Sequence, residues 1–305
     1  MAAFIIVAIS LFFLIKSADV FVDQASALAQ KIKLSNFLIG FTIVAFSTSL
    51  PELVSTVFSA IAGHNNLLVS NIIGSNITNS CLIFGLVALL KKFKIGKRDI
   101  DVNIPFNMVA IVLFWILTVF MSFTLNWSAG ILLILIFFIL QILSKKYNRF
   151  ENLKISDVKF NLLILISSLM LLVVFGKICI DQIINLAQQF KISETILGYF
   201  LLAIGTSLPE LTVTWIAVNK KNKDIAVGNI LGSNLFNLLF IFGISTFIEP
   251  LQLNAFKIDL MFLAGVTIII YVLAIKGKKY FFGKKEGIGL LFLYFLFVLL
   301  QIFKI

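Results

Sequence analysis

The sequence contains few charged residues. Only 13% of its 305 residues are Asp, Glu, Lys or Arg, whereas 60% are hydrophobic. Soluble proteins are usually about 25% charged and about 45–50% apolar. Because so few polar side chains cannot cover a water-soluble globule, the composition excludes an ordinary cytosolic enzyme, and it also excludes intrinsic disorder. The apolar residues form solid runs that do not alternate, so the sequence predicts membrane-spanning helices and not membrane-spanning strands.

Cysteine and histidine are almost absent. Cys81 and Cys179 lie far apart inside apolar runs and are expected to pack as small apolar residues, so neither a disulfide framework nor a zinc site is indicated. The one histidine, His64, lies in a predicted loop. The first apolar run lacks the flanking features of a cleaved signal peptide and is expected to remain in the protein. Nothing in the sequence indicates a cofactor.

The formal net charge of +11 does not indicate a nucleic-acid partner, because the basic residues lie in short loops between apolar runs. Such residues set the orientation of a protein in the lipid bilayer. If the N-terminus is outside, the inside loops contain 20 of the 25 Lys and Arg residues. The sequence therefore predicts a multi-pass cell-membrane protein with both termini outside. The ten predicted spans lie near residues 2–30, 36–62, 66–90, 103–122, 127–143, 158–189, 194–219, 225–248, 258–275 and 286–303.

A motif recurs at a fixed offset. AFSTSLPEL (45–53) returns 158 residues later as AIGTSLPEL (203–211), and several downstream residues recur at the same offset. The sequence predicts an all-α polytopic membrane protein built from two five-helix repeats, residues 1–143 and 158–305, joined by a basic cytoplasmic linker, 144–157. Because five is odd, the second repeat is inverted relative to the first. Inverted repeats are typical of transporters that work by alternating access, with ion sites between the repeats. The recurring downstream pairs are Asn71/Asn229, Gly74/Gly232, Ser75/Ser233, Asn76/Asn234 and Asn79/Asn237.

Each motif places one carboxylate, Glu52 or Glu210, inside an apolar helix. A charged side chain at the centre of a bilayer costs at least about 2.5–3.5 kcal/mol, so such residues are functional by default. Neither motif contains a Lys or Arg that would form a structural ion pair. Two facing glutamates repel each other unless a cation lies between them or one is protonated. The repeat therefore predicts a cation site.

The residues around each glutamate supply further oxygen atoms. In each motif an alanine, a threonine, a serine and the glutamate recur at intervals of three and four, which places them on one helix face. Pro51 and Pro209 remove a backbone donor, so carbonyl groups in the preceding turn can face an ion. An all-oxygen site suits hard cations, Ca²⁺ above all, and could also hold several Na⁺. The predicted ligands are Ala45, Thr48, Ser49, Glu52, Ser75, Asn79, Ala203, Thr206, Ser207, Glu210, Ser233 and Asn237.

The two motifs resemble the α-repeats of the cation/calcium exchanger superfamily, specifically those of prokaryotic sodium/calcium exchangers. The first resemblance covers GFTIVAFSTSLPEL and SNIIGSNITN, and the second covers GYFLLAIGTSLPEL and GNILGSNLFN. The resemblance implies that Ca²⁺ is held by the two glutamates with Thr48 and Thr206. It also implies flanking Na⁺ sites at the alanine carbonyls and the four serines, and a central pair formed by Asn79 and Asn237.

The sequence departs from the family pattern in three respects. Asn237 occupies a position where many prokaryotic members and the potassium-dependent branch carry Asp, and Asn there resembles the animal potassium-independent branch, which argues against K⁺ co-transport. Ser47 and Ser70 replace small residues that the second repeat retains as Gly205 and Gly228. The linker also lacks the large calcium-sensing insert of animal exchangers.

Other functions remain open at this point. A Ca²⁺/H⁺ antiporter is the closest alternative, because two glutamates can also exchange protons. A cation channel fits inverted repeats less well than alternating access does. A membrane-embedded enzyme could use Ser49 and Glu52 as nucleophile and base, but the only histidine is in a loop. The sequence is therefore interpreted as a non-enzymatic antiporter of Na⁺ and Ca²⁺ that exports Ca²⁺, and it carries no signal for an oligomeric state.

Overall fold

The computed structural model describes residues 2–32, 35–97, 99–147, 159–188, 194–276 and 281–303. Most of the predicted linker, 148–157, lies outside the described residues, and its first residues continue a helix. The side chain of Cys179 is also outside them, whereas Cys81 is buried as expected. The helices are α1 (Ala2–Lys31), α2 (Phe37–Thr48), α3 (Leu50–Ile61), α4 (Asn65–Leu90), α5 (Asp99–Phe120), α6 (Trp127–Lys146), α7 (Leu162–Gln188), α8 (Gly198–Thr206), α9 (Leu208–Asn219), α10 (Lys223–Ser245), α11 (Asn254–Ile275) and α12 (Lys284–Phe303).

The apolar helices are long enough for a polytopic membrane protein. In the described part of the chain, six helices (α4, α5, α6, α10, α11 and α12) are each able to cross a bilayer. The bent pairs α2–α3 and α8–α9 raise this number to eight if each pair forms one span. The long helices α1 and α7 pack against each other and fall within a few residues of the first and sixth predicted spans.

Burial divides the helices into a core and a lipid-facing layer. The most apolar windows of α4 and α10 are 83% and 89% buried, whereas those of α5, α6, α11 and α12 are only 22–39% buried. The central pair contains the residues downstream of the repeated motif, so the polar positions of the repeat lie inside the protein.

Two glycines allow the central helices to approach the motif helices of the opposite half closely. A methyl group added at Gly74 would lie 2.8 Å from the Ala203 Cβ atom, and one added at Gly232 would lie 2.7 Å from the Ala45 Cβ atom. A real side chain would clash at both distances. The absence of a side chain at both glycines therefore permits close helix packing, and α4 packs against α8 as α10 packs against α2.

Four two-residue strands, which the sequence did not predict, join the two halves of the chain. Strands β1 (Phe93–Lys94) and β4 (Phe281–Phe282) form one antiparallel pair, and β2 (Thr124–Leu125) and β3 (Leu251–Gln252) form the other. Each pair therefore connects a loop of the first half with a loop of the second. Such short pairs lack a sequence pattern, because their partners are set by how the helices dock.

Candidate functional site

The bends between α2 and α3 and between α8 and α9 position the two glutamates. The helix axes change direction by 43° and 46°, at Ser49 and Ser207, where the backbone leaves the helical region. Pro51 and Pro209 lie just beyond these bends, in the first turns of α3 and α9, and have no backbone N–H to continue the preceding helix. Each glutamate thus lies in the first turn of a new helix, where the helix dipole favours negative charge.

Both carboxylates are fully buried and accept hydrogen bonds from the opposite half. Ser49 Oγ donates to Glu210 Oε1 at 2.8 Å, and Ser207 Oγ donates to Glu52 Oε1 at 3.2 Å. Serine at a helix N-cap normally bonds its own helix, yet neither serine does so here. Because both serines give up that stabilising contact to reach across, the two halves build one polar centre together.

The predicted threonines and downstream serines meet in the same crosswise way. The Thr48 hydroxyl lies 3.4 Å from the Ser233 hydroxyl, and the Thr206 hydroxyl lies 3.4 Å from that of Ser75. Thr48 also faces the Glu210 carboxylate, as Thr206 faces that of Glu52. The structure therefore brings the hydroxyl groups of both halves to the two carboxylates.

The predicted backbone ligands stay within their helices in this structure. The Ala45 carbonyl accepts the backbone N–H of Ser49 at 3.0 Å, and the Ala203 carbonyl accepts that of Ser207 at 3.1 Å. Each carbonyl also accepts the hydroxyl of the threonine three residues later, at 3.3 and 3.4 Å. Both oxygen atoms are thus beside the site, but an ion would compete with these hydroxyls for them.

Several buried polar side-chain atoms are without a hydrogen-bond partner in the described part of the chain. They include the second carboxylate oxygens of Glu52 and Glu210 and both the oxygen and the nitrogen of the Asn79 and Asn237 amides. Both asparagines are fully buried and are the second residues of π-helical stretches, Thr78–Ile83 and Phe236–Ile241. Short π-helical segments within α-helices are common at functional sites. Since buried polar groups are nearly always bonded, the unpaired carboxylate oxygens point to a ligand with positive charge.

The charge of the site comes from the two glutamates. They are close enough to repel each other, and within the described residues no group of three or more His, Cys, Asp and Glu side chains could hold a metal ion. A cation between them would remove this repulsion. Two carboxylates with neutral hydroxyl and amide oxygens suit a hard cation better than a soft one.

Asn71 and Asn229 recur at the offset of 158, but the repeat by itself indicates no role for either. The structure places Asn229 at the site, whereas Asn71 donates to Ser55 and Thr56. Asn229 Oδ1 accepts the Thr48 hydroxyl at 3.0 Å, and its Nδ2 donates to the Glu210 carbonyl at 3.4 Å. Both asparagines are fully buried. The repeat was the available signal, but it did not reveal which side chains these amides contact.

Comparisons with known proteins agree with this geometry. The family described as sodium/calcium exchanger protein matches residues 2–145 and 160–303, two stretches of equal length whose starts are 158 positions apart. The chain is 31% identical over 307 residues to the putative antiporter CaxA of Alkalimonas amylolytica, covering 95% of this chain and 96% of the relative. It is 27% identical to the sodium/calcium exchanger MaX1 of Methanosarcina acetivorans, over 97% of both chains. Its structure matches that of the sodium-calcium exchanger NCX_Mj with a TM-score of 0.84, at 26% identity and over 98% of both chains.

Proposed function

This chain belongs to the sodium/calcium exchanger protein family, and we propose that it is an antiporter that exchanges Na⁺ for Ca²⁺ by alternating access and exports Ca²⁺. The observation that carries the proposal is the reciprocal pair of hydrogen bonds between Ser49 and Glu210 and between Ser207 and Glu52. One site shared by two halves can be exposed to either side of a membrane by moving one half against the other.

We assign Ca²⁺ to the space between the Glu52 and Glu210 carboxylates. Two negative charges neutralise one Ca²⁺, which prefers six to eight oxygen ligands, so neutral oxygens must complete its coordination. We assign Thr48 and Thr206 as hydroxyl ligands, because each faces one of the carboxylates. The remaining predicted ligands, which provide neutral oxygens suited to Na⁺, are Ala45, Ser49, Ser75, Asn79, Ala203, Ser207, Ser233 and Asn237.

Loop contacts support the proposed ten spans in two inverted repeats. If ten spans alternate in direction, the loops that contain β1 and β4 lie on the inside, and the loops that contain β2 and β3 lie on the outside. In the structure β1 pairs with β4 and β2 pairs with β3, so each pair joins two loops on the same side. Asn65 in an outside loop likewise donates to the Gln252 carbonyl of β3 at 3.0 Å. One missing or additional span between Asn65 and β4 would separate at least one of these pairs by the thickness of the membrane.

The charge of the site predicts the direction of transport. Two carboxylates neutralise one Ca²⁺ but leave a third Na⁺ uncompensated, so three-for-one exchange would move one net charge per cycle. That charge couples to the membrane potential at about 2.3 kcal/mol per 100 mV for a full crossing. A potential that is negative inside therefore favours Na⁺ entry and Ca²⁺ export.

The test is ⁴⁵Ca²⁺ flux into proteoliposomes that contain the purified chain. We expect uptake to require an outward Na⁺ gradient, to be indifferent to K⁺ at fixed voltage, and to change rate when valinomycin sets potentials of opposite sign. Uptake driven by a proton gradient without Na⁺ would establish the Ca²⁺/H⁺ alternative instead. Unchanged rates and unchanged equilibrium Ca²⁺ ratios at both potentials would exclude electrogenic exchange.

A further inference from the structure

The two site threonines have matching contacts with one exception. Each hydroxyl contacts the carbonyl three residues earlier and a serine of the opposite half, at 3.3–3.4 Å. Thr48 additionally donates to Asn229 Oδ1 at 3.0 Å. The equivalent bond from Thr206 to Asn71 is not formed, and Asn71 Oδ1 is buried without a partner in the described part of the chain.

The missing bond does not result from poor placement of Asn71. Its Nδ2 atom donates to the Thr56 hydroxyl at 3.3 Å, as that of Asn229 donates to the equivalent Thr214 hydroxyl at 3.1 Å. Both asparagines are fully buried. A buried acceptor without a donor is unfavourable and requires an explanation. A conformation in which the acceptor is satisfied provides one.

We propose that Asn71 and Asn229 are positioning residues, and that each holds one threonine by a hydrogen bond in only one of two conformations. The Thr48–Asn229 bond is closed in the conformation seen here, and the Thr206–Asn71 bond closes in the conformation that opens to the other side of the membrane. This inference rests on the proposed function, because it requires two conformations of one shared site.

The positions of the two bonds fit this role. Thr48 lies on α2 and Asn229 on α10, whereas Thr206 lies on α8 and Asn71 on α4, so each bond crosses from one half to the other. Each depends on how closely a motif helix approaches a central helix. Because one bond breaks as the other forms, the two bonds do not stabilise one conformation much more than the other. An exchanger needs two conformations of similar free energy in order to cycle.

The test compares Asn229→Ala with Asn71→Ala in proteoliposomes of uniform orientation. The measured quantity is the ratio of half-saturating Ca²⁺ concentrations at the two membrane faces, obtained from Ca²⁺/Ca²⁺ exchange. Apparent affinity at one face scales with the population of the conformation open to that face. Losing one ordinary hydrogen bond should shift the ratio about fivefold. The two variants should shift it in opposite directions, and the double variant should return it to near the wild-type value.

Matched controls lie five residues further along the same two helices. Asn76 donates to the Ile72 carbonyl at 2.9 Å and Asn234 to the Ser80 hydroxyl at 2.8 Å, and the threonines do not take part in either bond. Alanine at these two positions should leave the ratio within about twofold of wild type. If an alanine variant of Asn71 or Asn229 does not fold, Asn71→Ser and Asn229→Ser provide the comparison, because serine is too short to reach the threonine.

The outcomes separate this inference from the proposed function. Ratio shifts in the same direction, or no shift for Asn71→Ala, would overturn the inference. The latter result would mean that Ser55, which accepts from Asn71 Nδ2 at 3.0 Å, holds this amide permanently. Because Ca²⁺/Ca²⁺ exchange requires no sodium, the ratio remains measurable even if the wild type shows no Na⁺-driven flux, a result that would contradict the proposed function alone.

Discussion

The two halves of the molecule are most alike where they face each other and differ more in their surroundings. At the centre, each half contributes the same glutamate, serine and threonine in the same crosswise contacts. Away from it, Lys220 of the second half forms ion pairs with Asp19 at 2.8 Å and Asp23 at 2.6 Å, whereas the equivalent position in the first half is the exposed Ala62. We propose that the shared positions bind the ions and that the differing positions favour one conformation over the other.

The largest expected effect tests whether the halves contribute equally to the centre. Glu52→Gln and Glu210→Gln should each lower Ca²⁺ flux on the order of 100-fold or more, because each leaves one buried carboxylate facing a dication. The comparison uses ⁴⁵Ca²⁺ uptake, with Asp101→Asn as a control at an exposed carboxylate. Near wild-type flux in either glutamine variant would show that the carboxylates do not share one ion.

A smaller effect should distinguish the two serines. A hydrogen bond to a charged group contributes about 1.5–3 kcal/mol. Ser49→Ala and Ser207→Ala should therefore each raise the half-saturating concentration of Na⁺ or Ca²⁺ by at least about tenfold. Ser49→Ala should have the larger effect because its bond to Glu210 is shorter, 2.8 against 3.2 Å. Ser59→Ala is the control, since Ser59 donates to a backbone carbonyl of its own helix. Affinities equal to that of the control would contradict the crosswise contacts.

Helix packing between the halves should respond to an added methyl group. Gly232→Ala and Gly74→Ala should each destabilise the protein by about 1–3 kcal/mol, because the methyl group has no space. The change at Gly232 should be the greater, since the Phe41 backbone there is closer to the added methyl group than the Tyr199 backbone is at Gly74. Thermal unfolding followed by tryptophan fluorescence measures both variants against Gly265→Ala, which has open space around it. A loss of stability in Gly265→Ala as large as in Gly74→Ala and Gly232→Ala would refute this packing argument.

The smallest effect concerns the ion pairs of Lys220 with Asp19 and Asp23, which the equivalent Ala62 cannot form. Lys220→Met should reduce the free energy of unfolding by at most about 1 kcal/mol, because all three side chains are partly exposed to solvent. The difference should shrink at high salt. Unfolding midpoints at low and high ionic strength, with Lys285→Met as the exposed control, provide the measurement. A loss of several kcal/mol that salt does not reduce would show that these pairs are buried in the working protein.

Much of the architecture follows from the sequence because its signals are local. Apolar runs placed the helices to within a few residues, and the repeat at a fixed offset indicated Glu52 and Glu210 and paired Gly74 with Gly232. The strand pairs and the contact between Thr48 and Asn229 could not be predicted in this way. They depend on how the two halves dock, and residues 181 positions apart leave no periodic pattern that would identify them as neighbours.

The central claim is that the two halves form one calcium site and not one site each. Equilibrium ⁴⁵Ca²⁺ binding to the purified chain, alone and as Glu52→Gln and Glu210→Gln, tests it most directly. We predict one Ca²⁺ per wild-type chain, displaced by Na⁺, and a loss of binding in either variant. Two Ca²⁺ per chain, with one retained in each single variant, would contradict the account.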